Sequence, residues 1–298
     1  MKRMREESLR SGKTFSAAVK PYLFMLPILF FSVCFVYYPF FKTFLYSFSS
    51  VNFRGEITGF VGLDNFRYLF SRKDFAVSLL NTLKLTALNV PATLAVTLLL
   101  AAISCTKRPL HSLYETAFAL PMAVSMSAAA LIFRVMLNPT VGWLNYALGI
   151  TCRWYEGKDT VLWGILTLTV WMGIGFNYLL LLAAMRNIPD HLYESAMLDG
   201  AGPFRRFFLI QLPLIMPTVL YVICTNTVLC LLTAGPVMII VKDSLKRSAS
   251  TLIYMMYSSG YQSSDYGLAA CVSLVTFALA LTFTAAAFWA DRKKVRGT

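Results

Sequence analysis

The sequence predicts an all-α, polytopic membrane protein with six transmembrane helices and both termini in the cytoplasm. Three observations predict it. Hydrophobic side chains make up 57% of the 298 residues and charged ones only 14%, against roughly a quarter in a soluble domain. The charges are also unevenly placed. Six mainly apolar runs carry none: Pro21–Phe41, Leu85–Thr106, Thr116–Phe133, Thr160–Met185, Phe207–Val241 and Tyr266–Ala290. A spanning helix needs about 20 such residues. Finally, the basic residues responsible for the net charge of +13 flank these runs instead of forming one patch. With six spans, 15 Lys and Arg fall on the side of the termini and 9 in the opposite loops, which places the termini inside by the positive-inside rule.

The elements follow in order. Residues 1–20 read as a basic cytoplasmic leader, and 21–298 as one membrane domain. Span 1 covers about Tyr22 to Ser47, with Pro27 and Pro39 as kinks or ends. Its apolar run is longer than a signal-peptide h-region and no small-x-small site follows, so an uncleaved span is expected. A glycine-containing outer loop leads to spans 2 and 3 (about Ser78–Cys105 and Thr116–Leu137), joined around Lys107-Arg108-Pro109. Asn138–Asp159 reads as an outer loop, because Asn138-Pro139, Gly142 and Gly149 interrupt it. Span 4 covers about Thr160–Met185, span 5 about Phe208–Ala234 and span 6 about Leu268–Ala290.

Several chemistries are excluded. Ser11-Gly12-Lys13-Thr14 has the end of a phosphate-binding loop, but Glu7 stands where the pattern needs its first glycine, and no strand precedes it. The bases are not interleaved with aromatics, which argues against nucleic acid. Gly55 and Gly59 have a helix-packing spacing but lie in a charged loop. The six cysteines form no C-x-x-C pair, and only Cys152 falls in an outer loop, so no disulfide framework is expected. With His111 and His191 the only histidines, no metal site is expected. The six apolar runs contain no Asp, Glu or His, the groups by which ion-coupled pumps carry charge through hydrocarbon. No clustered carboxylates or His–carboxylate pair suggests an enzyme. If the chain moves a solute, energy arrives from another subunit.

The informative segment is Arg186–Pro213. Pro189 ends the exit from span 4, and Asp190 is a plausible N-cap for a short helix over His191–Asp199. Gly200, Ala201, Gly202 and Pro203 stop it. Small Ser195 and Ala196 let another protein approach closely, and the Glu194 carboxylate suits a partner's arginine. Glu194, Ala196, Gly200, Ile210, Leu212 and Pro213 match the pattern E-A-A-x3-G-x9-I-x-L-P, with Ser195 in place of the second position's alanine.

That pattern is the signature of the membrane subunits of bacterial binding-protein-dependent ABC importers, and the chain resembles this family over nearly its whole length. Pro21-Tyr22-Leu23 through Tyr38-Pro39 is similar to the first span of the carbohydrate-importer permeases. Gly62-Leu63-Asp64-Asn65-Phe66 with Asn81-Thr82 resembles the entry to span 2, and Leu232-Thr233 with Gly235-Pro236 the T-x-G-G-P turn, Ala234 replacing its first glycine. Within the family the chain resembles the first-type partner of a heterodimeric permease pair. The resemblance implies a permease subunit forming half of the translocation pathway for a sugar or oligosaccharide in the bacterial cytoplasmic membrane. The implied partners are a second permease subunit, a cytoplasmic ATPase dimer that alone binds ATP and Mg, and an extracytoplasmic solute-binding protein, besides membrane lipid. The ATPase-coupling residues would be Glu194, Ser195, Ala196, Asp199, Gly200, Ala201, Ile210, Leu212 and Pro213.

The solute route is less legible. Hydroxyls and amides beside aromatics suit a sugar, and Trp171, Asn177, Tyr178 and Asn226 are the residues of this kind picked for the pathway. Hydrogen bonding between packed helices is the competing reading for each. A glycerol phosphate ester or another polar solute is the alternative cargo. A self-contained channel or a membrane enzyme is the alternative class.

Overall fold

In the computed structural model, residues 21–106, 109–241 and 243–296 are described. The expected leader 1–20 and the Lys107-Arg108 corner lie outside the described residues.

The chain begins with α1 (Pro21–Ser47), which carries a π-turn over Val33–Tyr37. A short antiparallel hairpin follows, β1 (Ser49–Val51) with β2 (Ile57–Phe60), turning at Gly55 with φ +80°. This two-stranded hairpin is the departure from an all-helical chain among the described residues, and it occupies the loop expected after span 1. Then come α2 (Asp64–Ser71), α3 (Lys73–Cys105), α4 (His111–Ala119) with a 3-10 turn Leu120–Ala123, and α5 (Met126–Met136). A small helix α6 (Trp143–Leu148) precedes α7 (Val161–Arg186) and α8 (Asp190–Leu198). After α9 (Pro203–Arg206), a π-turn Phe207–Gln211 and one helical turn Leu212–Leu214 lead into α10 (Met216–Leu231). The chain finishes with α11 (Gly235–Ile239), α12 (Asp243–Lys246), α13 (Leu252–Tyr257) and α14 (Tyr266–Arg296).

Among the described residues, five helices are long and apolar enough to cross a membrane, and a sixth span exists if a bent pair is taken as one. That pair is span 3, expected as a single helix over Thr116–Leu137. It bends by 106° between His111–Ala123 and Met126–Met136. The cause is local. Pro121 has no N–H to continue the ladder, Val124 and Ser125 are extended (ψ 130° and 149°), and the Ser125 hydroxyl caps α5 by accepting from the Ala128 N–H at 3.2 Å. A residue before and after the break thus each favour separate helices. Span 2 is the reverse case: α3 starts at Lys73 and runs for 33 residues through Pro91, about 50 Å at 1.5 Å per residue. Its first turns therefore extend past the hydrocarbon.

The centre of the fold is the pairing of α3 with α7. Ser78, Asn81, Thr82, Thr86, Asn89, Thr93, Thr97 and Ser104 form a buried stripe along α3 at three- and four-residue spacing. Such small polar side chains let helices approach closely and bond across the gap. Asn89 donates to Thr169 Oγ1 on α7 at 2.9 Å, and a Cβ at Gly173 would come within 2.9 Å of Thr93 Cγ2. Thr82, Thr86 and Thr97 return their hydroxyls to a carbonyl four residues back, Thr86 to Thr82 O at 2.8 Å.

At the hairpin end, the start of α3 holds the segment before α13. Arg247 forks onto Asp74 (2.7 and 2.6 Å), and Asn81 donates to the carbonyls of Ser248 and Ser250 at 2.7 and 3.0 Å. Ser78 bonds Ser250 Oγ at 2.8 Å, and Thr82 Oγ1 accepts from the Leu252 N–H at 2.9 Å. Non-helical backbone here is thereby satisfied by side chains of a spanning helix. The expected loop Asn138–Asp159 is ordered the same way: Asn145 donates to Cys152 O at 2.8 Å and accepts from Trp154 Nε1 at 2.7 Å.

Gly175 sits where the broken span 3 crosses α7. A Cβ there would lie 2.6 Å from Met122 N and 2.9 Å from Ala119 O, both backbone atoms. Gly175→Ala should therefore destabilise the detergent-solubilised protein by ~1–3 kcal/mol. Gly202→Ala, with nothing within 4 Å of its Cβ, should leave the thermal unfolding midpoint unchanged. Equal midpoints for the two variants would contradict this packing.

Candidate functional site

The segment singled out by its motif folds into the short helix α8 and the turn behind it, at the end of the bundle where α3 and α7 finish. It starts one residue earlier than expected. Pro189, extended at φ −60° and ψ 133°, occupies the N-cap position, and Asp190 is the first helical residue. No side chain caps this end, so Asp190 contributes as a negative charge on the helix's positive pole and not as a capping acceptor. Its proline neighbour fixes the entry angle instead.

The other end is closed by hydrogen bonds. Asp199 is the C-cap, the Gly200 N–H bonds to Met197 O at 3.0 Å, and the Ala201 N–H bonds to Ala196 O at 2.9 Å. These two bonds define a Schellman motif. It requires a left-handed residue after the cap, and Gly200 has φ +73°. A Cβ at Gly200 would meet nothing within 4 Å. Conformation, and not space, is what selects glycine here.

The helix has two faces. Leu192 and Tyr193 pack against the cluster of Ala101, Tyr178, Leu181, Met185, Ile188 and Ile215, and Ala196 is buried. Burial pushes the Tyr193 phenol above its usual range. On the opposite side Glu194, Ser195 and Asp199 are exposed, Met197 is half-exposed and Leu198 is 90% exposed. The Ser195 hydroxyl turns back to His191 O at 2.9 Å. Gly200 is exposed and Ala201 partly buried. Phe204 and Phe208 continue the exposed apolar surface beyond the turn. Ile210 lies in the π-turn and Leu212 and Pro213 in the helical turn after it. Ile210 and Leu212 are partly buried, Leu212 against the same cluster, and Pro213 is exposed. The second half of the motif therefore builds the bent entry into α10, while the first half builds the surface.

The residues picked for the solute route are not gathered on an open surface of this chain. Asn177 and Asn226 are 3% and 6% exposed, and the first donates to the second at 2.9 Å, bridging α7 to α10. Tyr178 is fully buried, with its ring edge-on to Phe118 at 5.5 Å. Trp171 is partly exposed and packs at 5.5 Å against Phe133 of α5.

Sequence reasoning passed over one feature beside α8. Arg186, the last residue of α7, forks onto Glu115 of α4 at 2.5 and 3.2 Å and also donates to Ser104 O of α3 at 3.0 Å. By sequence alone Arg186 is one more base flanking an apolar run. The available signal was an acid immediately before the charge-free run Thr116–Phe133, a place where a lone carboxylate needs a partner.

The chain is similar to known proteins over nearly its whole length. Residues 99–296 match the family described as binding-protein-dependent transport system inner membrane component. The sn-glycerol-3-phosphate transport system permease protein UgpA of Pectobacterium atrosepticum is 30% identical over 289 residues, covering 96% of this chain and 98% of that protein. The UgpA of Yersinia pestis is 32% identical over 286 residues, covering 95% and 97%. Among solved structures, a chain of a bacterial ABC transporter involved in the import of the acidic polysaccharide alginate shares the fold. It has a TM-score of 0.84 at 22% identity, with 95% of this chain and 99% of that one covered. A chain of a bacterial alginate ABC transporter in complex with an alginate pentasaccharide-bound periplasmic protein superposes with a TM-score of 0.83 at 22% identity, covering 94% and 96%. With its spans, a family match over residues 99–296 and relatives alike over nearly the whole chain, this chain belongs to the inner membrane components, the permease subunits, of binding-protein-dependent transport systems.

Proposed function

We propose that this permease forms half of the translocation pathway of an ATP-driven importer for a sugar or oligosaccharide, and that α8 is the helix through which the ATPase drives it. One observation carries the reading. α8 presents Glu194, Met197 and Leu198 outward on a turn fixed by Gly200, while its other face is packed into the ends of α3 and α7. An exposed carboxylate beside exposed apolar side chains suits a protein surface offering an arginine and an apolar socket. A push on α8 reaches the spans through Leu192, Tyr193 and Ala196.

In this reading ATP and Mg are bound by a separate cytoplasmic ATPase dimer, and this chain performs no catalysis. A second permease subunit completes the pathway, an extracytoplasmic solute-binding protein delivers the cargo, and the assembly sits in the bacterial inner membrane with α8 and both termini on the cytoplasmic side. Glu194 makes the charged contact. Ser195, Ala196, Asp199, Gly200 and Ala201 shape the docking turn, and Ile210, Leu212 and Pro213 set the entry to α10. Of the pathway residues, Trp171 retains an exposed edge for a solute's apolar face, whereas the burial of Asn177, Tyr178 and Asn226 favours helix packing. A second cargo, a glycerol phosphate ester, is favoured by the relatives, whose names give sn-glycerol 3-phosphate. A thermal-shift screen of the cognate solute-binding protein against both classes separates them, since a bound ligand stabilises its protein.

Glu194→Lys is expected to leave membrane insertion intact while cutting ATP-driven uptake by at least about tenfold, the scale of one lost charge-assisted contact. Gly200→Val, forced into a left-handed conformation at a cost of roughly 1–2 kcal/mol, should likewise uncouple hydrolysis from uptake. Wild-type uptake by both variants at normal expression would remove the assignment. So would purification of the wild-type permease with no ATPase subunit attached.

A further inference from the structure

Glu115 lies on α4, a nine-residue helix in which no residue is fully buried. The 106° bend at Val124-Ser125 separates α4 from the rest of span 3, so α4 does not move with α5 as one rigid rod. It is held sideways by contacts that include the Arg186 fork, at 2.5 and 3.2 Å, Phe118 set edge-on to Tyr178, and Ala119 packed on Gly175. The same guanidinium holds Ser104 O at the end of α3 at 3.0 Å. The Arg186 and Glu115 side chains are only 30% and 19% exposed. A planar two-bond pair in such partly dry surroundings is directional as well as strong.

Arg186 also stands close before α8, separated from its first residue Asp190 only by Asn187, Ile188 and Pro189. Leu192 and Tyr193 of α8 pack in the same cluster as Cys105 and Phe118. We propose that the Arg186–Glu115 pair is the joint that carries displacement of α8 into α4 and the end of α3, making the ends of spans 2, 3 and 4 move as one unit. Arg186 and Glu115 are then positioning residues for transport, touching neither nucleotide nor solute. The surroundings allow the joint to shift without stranding a charge. The hydroxyls of Ser104, Tyr114 and Tyr178 are buried beside the pair, and each belongs to an element that Arg186 joins. A displaced guanidinium or carboxylate therefore meets polar groups able to accept or donate.

This inference rests on the coupling reading above, and its test separates the two. In the full importer complex in lipid nanodiscs, hydrogen exchange is followed by mass spectrometry with and without ATP, Mg and vanadate. In the wild type both α8 and α4 should change on nucleotide trapping. In E115Q, α8 should still respond while the response of α4 falls by about tenfold, the scale of a lost charge-assisted bond, with basal ATPase activity unchanged. R186K keeps the charge but not the fork and serves as the second variant, with a partial loss expected. A full α4 response in E115Q overturns the inference and leaves the coupling reading standing. Failure of both variants to assemble with the ATPase makes the pair an assembly element and also overturns it. No response at α8 in the wild type defeats the coupling reading itself.

Discussion

The fold depends on one constraint: a backbone or polar group at membrane depth must find its partner inside the protein, because hydrocarbon offers none. The polar stripe of α3 is the answer this sequence adopts. The same face supplies Asn89 to α7 in the middle and, near its start, Asn81 and Thr82 to the irregular backbone before α13. Opposite it, Gly173 lets α7 close to the distance these short side chains can bridge. Replacing the stripe with leucines would add apolar surface but remove the bonds that set register, since lipid tails compete equally well for leucine.

Rigid packing at the centre gives the motif segment its meaning. α8 is fixed at one end by Pro189 and at the other by the Gly200 turn, and its inner face is embedded beside the ends of α3 and α7. A helix so mounted passes a lateral force on without absorbing it. The bend in span 3 has the opposite character, a discontinuity that lets α4 follow its neighbours independently of α5. Together they describe a lever with a firm grip and a hinge.

Much of this was legible in the sequence, for definable reasons. Spans 1, 4 and 6 follow from charge-free apolar length, which hydrocarbon thickness alone dictates. The helix of the motif was placed to within one residue, because Pro189 and Gly200 mark its ends by backbone restrictions that neighbours do not override. Span 3 was read as continuous because composition cannot see a bend. Its run from Thr116 to Phe133 is charge-free throughout, and only the pairing of Pro121 with a capping Ser125 shows the break. The 138–159 segment read as a loop from Asn138-Pro139 and its glycines, although Asn145 and Trp154 tie it into ordered structure. The Arg186–Glu115 and Arg247–Asp74 pairs, separated by 71 and 173 residues, were invisible, because spacing in one chain carries no information on which distant charges meet.

In the assembled importer the outward face of α8 is proposed to lie covered by the ATPase. The direct measurement places a cysteine at Leu198, which is 90% exposed in this chain, adds a short photo-activated cross-linker, and identifies the captured subunit in native membranes by mass spectrometry. The account predicts a cross-link to the ATPase subunit whose yield changes when ATP and vanadate trap the complex. Free reaction of that cysteine with a water-soluble maleimide in the assembled importer, with no ATPase captured, would contradict it.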